Sequence, residues 1–204
     1  FGWKLAADEA FVFNVLVQDG TLVAVILYFW KDLWAIARGV AQGLRQRQPF
    51  ASHDARLGWY LILATIPAGI LGLWIKDVVE AAFASPQTTA VFLLVTAGLL
   101  LAAERLGKRG RSLDEITWQD ALWMGAAQAL AIFPGISRSG ATITGGMLRN
   151  LDRPSAARFS FLMSIPVMLA AGVLAILDLF ELPTLSNLLL PVMVGFITAA
   201  VTGY

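Results

Sequence analysis

Long apolar runs separated by short charged connections set the pattern of this chain. A membrane-crossing helix needs about 20 mostly apolar residues. Phe11–Trp30, FVFNVLVQDGTLVAVILYFW, is the first such run. Asn14, Gln18 and Asp19 interrupt it; they are costly in hydrocarbon and are expected to face protein or water. The second run is Leu57–Ile75, with Pro67 and Gly69 expected to bend it, and the third is Thr88–Ala103. Phe159–Leu177 and Leu188 to the end complete the set. The pattern predicts an all-α, polytopic transmembrane helical bundle, with residues 1–204 as a single transmembrane domain.

The connections orient these runs. The first carries Lys31, Arg38, Arg45, Arg47 and Arg56, and the third carries Arg105, Lys108, Arg109 and Arg111. The second has Lys76 against Asp77 and Glu80. Basic residues favour the cytoplasmic side, so the first and third connections read as inside and the second as outside. KDLWAIARGVAQGLRQRQ, from Lys31, suits either an amphipathic helix on the inner surface or an ordinary basic loop.

Residues 118–150 depart from the pattern. Trp118–Phe133 spans 16 residues and Ser139–Asn150 spans 12. As helices these are about 24 Å and about 18 Å long, short of a hydrocarbon core of about 30 Å. PGISR between them has the proline and glycine of a turn, and the next connection, RNLDRPSAAR, is again basic. A segment that starts and ends at basic connections predicts a re-entrant helical hairpin with its tip near mid-membrane. Irregular backbone at that depth must be buried in protein or line a wet cavity. The last connection, Asp178 to Asn187, has acids and no bases, as an outside loop should.

Composition agrees with a lipid solvent. The chain is 58% hydrophobic and 14% charged, against about a quarter charged for soluble domains. Its basic residues are scattered, so nucleic acid is not an expected partner. Cysteine is absent, which removes disulfides and thiolate chemistry. The single histidine, His53, reads as a solvated loop residue. The first residue is not Met and the last lie inside an apolar run, so the chain is expected to be an internal fragment, truncated at both ends.

The hairpin tip holds the chemistry. SRSGATITGG reads as the start of a half-helix, whose first N–H groups and dipole favour an anion. Arg138 adds a permanent cation with a planar fork suited to two phosphate oxygens. Ser137, Ser139 and Thr142 add hydroxyls, and Gly135 and Gly140 would let backbone approach a ligand. An arginine at mid-depth costs about 2.5–3.5 kcal/mol on cautious scales, which a bound anion would relieve. A second reading is a transporter or flippase for an anionic lipid or small anion, since broken helices aimed at mid-membrane anions also serve transport. Gly135 to Gly140 is not G-x-S-x-G, and no G-K-[ST] occurs, so neither a hydrolase elbow nor a nucleotide P-loop is present.

PGISRSGAT, followed by ITGGMLRNLDRPSAARFSFLMSIPVMLAAG, resembles the bacterial undecaprenyl-diphosphate phosphatase family, the bacitracin-resistance membrane proteins. Pro134, Gly135, Ser137, Arg138, Ser139 and Thr142 match that family's P-G-x-S-R-S-x-x-T signature, and FNVLVQDGTLVAVILYFWKDLW is similar upstream. The resemblance implies an enzyme of the bacterial inner membrane. It would hydrolyse undecaprenyl diphosphate to undecaprenyl phosphate and inorganic phosphate, recycling the lipid carrier of peptidoglycan synthesis. It also implies inverted repeats with two re-entrant hairpins, of which this chain would hold one and a fraction. On the resemblance, Arg138 binds and stabilises the diphosphate while Ser137, Ser139 and Thr142 donate hydrogen bonds, with Gly135, Gly140 and Gln128 on the substrate side.

The family's other signature, a Glu-rich motif and a Ser–Ser–Thr–Gly–His run, is absent from the chain. It would supply the carboxylates for a divalent cation, Mg or Ca, and a serine or histidine nucleophile; Gln128 stands where the other repeat has a glutamate. The metal ligands are therefore expected outside this chain, and the fragment alone is expected to be inactive. Direct attack by Ser137 or Ser139 ranks lower, because no general base lies nearby. The implied partners are a polyprenyl diphosphate lipid and the membrane, with room for a homodimer.

Overall fold

The computed structural model describes residues 7–75, 85–181 and 185–204. The acidic second connection, with Lys76, Asp77 and Glu80, lies outside the described residues, as does the middle of the last connection. Eight α-helices are described: α1 Ala7–Tyr28, α2 Trp30–Arg45, α3 His53–Trp74, α4 Pro86–Leu106, α5 Trp118–Leu130, α6 Arg138–Leu148, α7 Arg153–Glu181 and α8 Leu185–Gly203. A single 3-10 turn, Leu113–Glu115, precedes α5. No strand occurs among the described residues, only an isolated bridge between Arg111 and Leu151.

By length and apolar composition His53–Gly72, Pro86–Leu106 and Arg153–Leu177 can each cross a membrane. A fourth span results if Val12–Tyr28 and Trp30–Arg45 are counted together. Outward rows such as Ile62, Ile66 and Ile70 on α3 and Leu93, Leu94 and Leu101 on α4 are exposed. Water would penalise so much open apolar surface, whereas lipid accepts it. The chain is a polytopic, all-helical membrane protein.

The helices overrun the apolar runs at their polar ends. The turn holding His53 and Arg56 is helical because Ser52 caps it, its Oγ accepting from the Ala55 N–H at 3.1 Å. His53 is thus the first helical residue, half-buried, with Nε2 3.4 Å from Asp114 Oδ1; the expected solvated loop residue is corrected. The segment after Lys31 is a helix rather than a loop. Its outer face carries exposed Trp30, Trp34 and Leu44, and the Arg38 guanidinium lies 5.4 Å from the Trp34 ring centroid.

The chain forms two compact units, one of residues 1–30 with 165–204, the other of residues 31–164. In the first, α1 and α8 lie side by side, with Val12, Leu16, Ala175, Leu179, Leu188 and Val192 as the core. Small residues permit the close approach: a methyl on Gly20 would fall 2.2 Å from the Phe196 carbonyl oxygen. The Asp19 carboxylate faces protein, pressed against Gly172 of α7, while Asn14 and Gln18 are exposed.

In the second unit α3 packs on α5, and α6 packs on both α4 and α5. Gly125 of α5 sits against the Ala64 backbone of α3, and Gly146 of α6 against Met124 of α5. Phe159, Leu162 and Met163 from the start of α7 are wholly buried. The three basic connections are tied together here: Arg158 pairs with Asp32, Arg153 and Arg109 with Glu104, and Arg111 and Arg149 with Asp120.

Candidate active site at the hairpin tip

Helices α5 and α6, of 13 and 11 residues, form the two arms of a hairpin. At ~1.5 Å per residue they are roughly 20 and 16 Å long. The open ends of the hairpin are joined. The Arg111 N–H donates to the Asn150 carbonyl at 3.0 Å, and the Asp152 N–H to the Arg111 carbonyl at 2.8 Å. Beside them Asp120, with no exposed surface, accepts from Arg111 Nη2 at 2.7 Å, Arg149 Nε at 2.7 Å, and the Thr117 N–H and hydroxyl at 3.0 and 2.8 Å. Burial pushes the Asp120 carboxyl up, but these hydrogen bonds outweigh it and hold the group below the usual carboxylate range.

At the closed end the turn is moulded by α4. Gly135 has φ +93°, and a methyl there would lie 2.2 Å from the Thr89 carbonyl oxygen. Both conditions exclude a side chain. The Ser137 N–H donates to Thr96 Oγ1 at 3.2 Å, and the Thr96 hydroxyl faces the carbonyls of Phe92 at 3.1 Å and Gly135 at 3.4 Å. Thr96 is therefore the residue that seats the tip, and sequence reasoning missed it. Its only signal was one hydroxyl in the middle of the otherwise apolar stretch of residues 90–103.

Ser137 is the N-cap of α6, its Oγ accepting from the Gly140 N–H at 3.1 Å. That oxygen lies 3.4 Å from Ser139 Oγ. Arg138 opens the helix between them. Ser137 is exposed, and Arg138 and Ser139 are half-buried, so the structure brings this trio together at an accessible helix N-terminus.

The remaining predicted residues lie deeper. Thr142 has no exposed surface; its hydroxyl lies 2.8 Å from the Arg138 carbonyl and is hydrogen-bonded to Ser160 of α7. Gly140 is filled by the Thr96 methyl, which a Cβ would meet at 2.7 Å, and Gly135 by Thr89. These glycines admit protein neighbours rather than an open ligand surface. Gln128 is 2% exposed inside the hairpin, and neither amide atom has a hydrogen-bond partner among the described residues.

Chemically the tip combines a permanent cation, two adjacent hydroxyls and a helix N-terminus, a set suited to phosphate oxygens. Residues 129–144 contain no Asp, Glu or His to activate a nucleophile. Among the described residues no group of three or more His, Cys, Asp or Glu side chains could hold a metal ion. The described donor set therefore does not fit the divalent cation implied by the resemblance.

Fold and site together define a class: polytopic helical membrane proteins with a short hairpin that presents an anion-suited Ser–Arg–Ser tip. The family model described as Bacitracin resistance protein BacA matches residues 1–204, and the chain belongs to that family. It is 41% identical over 211 residues to an undecaprenyl-diphosphatase of Chlorobium phaeobacteroides (strain BS1), covering 100% of this chain and 74% of the relative. It is 42% identical over 213 residues to an undecaprenyl-diphosphatase of Thermomicrobium roseum, covering 100% of this chain and 75% of the relative. The protein of that name from Synechocystis sp. is 41% identical over 207 residues, covering 100% of this chain and 62% of the relative.

Proposed function

We propose that this protein hydrolyses undecaprenyl diphosphate to undecaprenyl phosphate and inorganic phosphate in the bacterial inner membrane. Family membership over residues 1–204 and the undecaprenyl-diphosphatase relatives support hydrolysis over transport. The observation that carries the site is the exposed Ser137 cap beside Arg138 and Ser139 at the start of α6.

In this reading α5 and α6 are a re-entrant hairpin whose tip meets the lipid diphosphate below the headgroup level. Arg138 neutralises charge on the phosphoryl group, and Ser137 and Ser139 donate hydrogen bonds to its oxygens. Stabilising that charge is the main electrostatic demand of phosphoryl transfer. Thr142, Gly135 and Gly140 hold the tip in shape. The nucleophile and the ligands of any divalent cation come from outside the described residues.

The test is phosphate release from a long-chain polyprenyl diphosphate by the full-length enzyme in detergent. Arg138→Ala lowers it at least about 100-fold, the scale of losing one oxyanion-stabilising group. Wild-type release from that variant removes Arg138 from the role. Because detergent abolishes any gradient, release by the unaltered enzyme also separates hydrolysis from transport.

A further inference from the structure

A polar depression lies at the other end of the same unit from the hairpin tip. It measures about 210 Å³ and opens between the first two turns of α3 and the 3-10 turn before α5. That is smaller than the ~300–1,000 Å³ of ordinary small-molecule sites, and of headgroup rather than whole-lipid size.

Its two walls carry opposite chemistry. His53, Arg56 and Tyr60 follow one another at i, i+3 and i+7 on a single face of α3. Neither the Arg56 guanidinium nor the Tyr60 hydroxyl has a hydrogen-bond or ion-pair partner among the described residues. The facing wall carries the carboxylates of Asp114 and Glu115. One Glu115 oxygen accepts from the Ser112 N–H at 2.8 Å, which fixes the side chain, and Asp114 reaches across to His53. Buried Leu57 and Ile116 supply an apolar part of the lining.

We propose that this pocket binds the headgroup of a zwitterionic phospholipid of the phosphoethanolamine class, independently of the diphosphate site at the hairpin tip. A bare anion on the α3 wall would confront two carboxylates, and a bare cation on the other wall would confront Arg56. A neutral dipolar ligand satisfies both, with its phosphate on Arg56 and Tyr60 and its ammonium on Asp114. The primary ammonium fits better than a quaternary one, which donates no hydrogen bond and is held by cages of several aromatic rings. Tyr60 is the one Phe, Tyr or Trp side chain in the lining, too few for such a cage. The pocket lies at the start of the His53–Gly72 span, where a crossing helix meets the headgroup layer, so the ligand is a bilayer lipid.

The experiment titrates the detergent-purified protein with dihexanoyl phosphatidylethanolamine, phosphatidylcholine and phosphatidylglycerol, and with free phosphoethanolamine. Binding is read by native mass spectrometry, with melting temperature confirming that each variant is folded. The ethanolamine lipid binds about tenfold more tightly than the other two lipids, the scale of one charge-assisted hydrogen bond. Asp114→Asn erases that preference, whereas Arg56→Ala, which removes the partner of the phosphate common to all three lipids, weakens their binding together. Tyr60→Phe, which keeps the ring, weakens ethanolamine-lipid binding about fivefold. Equal binding of the three lipids, a preference that survives Asp114→Asn, or undiminished binding of all three by Arg56→Ala overturns the proposal. Tighter binding of phosphatidylglycerol overturns the zwitterion match, and equally tight free phosphoethanolamine overturns the lipid source.

Discussion

Arg149 donates through Nε to Oδ1 of Asp120 at 2.7 Å, joining the end of one hairpin arm to the first turn of the other. Arg111, from the connection before the hairpin, grips the other carboxylate oxygen at 2.7 Å. The Asp120 side chain is fully shielded, whereas those of Arg111 and Arg149 are 28% and 41% exposed. One buried anion thus fixes where a short, self-contained hairpin begins and ends. The tip inherits its position from that anchor as well as from Thr96.

Asp120→Asn keeps the shape but leaves two guanidiniums facing an uncharged amide. Breaking a buried pair in this way costs about 3–5 kcal/mol, and the partial exposure of both arginines places the loss at the low end. The apparent melting temperature in detergent should fall clearly for Asp120→Asn, and less for Arg149→Ala.

The same pair sets an acid limit. The folded Asp120 titrates below its unfolded value of about 3.9. Its contribution to stability is therefore complete above about pH 4 and lost as pH falls through the folded pKa. Melting temperatures measured from pH 6 downward should drop more steeply below pH 4 for the wild type than for Asp120→Asn. Parallel curves would remove Asp120 from acid sensitivity.

At the tip, the two serines should separate by role. Ser137 caps α6 and Ser139 does not, so Ser137→Ala costs about 1 kcal/mol of stability. Ser139→Ala leaves melting nearly unchanged and lowers phosphate release through the lost donor alone. Ser137→Asn, which preserves a cap, should recover the stability lost in Ser137→Ala but not the activity. Full activity in Ser137→Asn would reduce that serine to a cap.

Much of the fold was legible because apolar length and punctuation are local properties. The five apolar runs became α1, α3, α4, α7 and α8, and the proline and glycine of PGISR ended one short helix and began another. The polar ends were less legible. Ser52 extends α3 through His53 and Arg56, and no hydropathy pattern reports a cap. Asp120 drew no notice, because nothing local places Arg111 and Arg149 around it. At the tip, the Ser–Arg–Ser trio was readable from residue type, but the inward facing of Thr142 and Gln128 depends on what α7 and the partner arm cover.

Two glycines offer a paired comparison. Gly135→Ala meets both a left-handed backbone and the Thr89 carbonyl, so it should destabilise well beyond about 1 kcal/mol and displace the tip. Gly69→Ala on α3 meets no atom within 4 Å and should stabilise slightly, by up to about 1 kcal/mol, through helix propensity. Phosphate release and melting temperature should both fall for Gly135→Ala and neither for Gly69→Ala.

Gln128 is the most demanding side chain in the hairpin. Its amide is 2% exposed, with no partner for either atom among the described residues, and the Thr144 hydroxyl on α6 is also buried without one. An unsatisfied buried polar group costs about 1–3 kcal/mol, so a structure that tolerates one gives up stability there. Gln128→Met has similar volume and no such requirement, and should raise the melting temperature in detergent. If phosphate release falls while stability rises, the amide serves the reaction at the expense of the fold, placing a functional group beneath the tip. If stability falls instead, the amide is hydrogen-bonded in the working enzyme, and an ordered water between α5 and α6 becomes the group to look for.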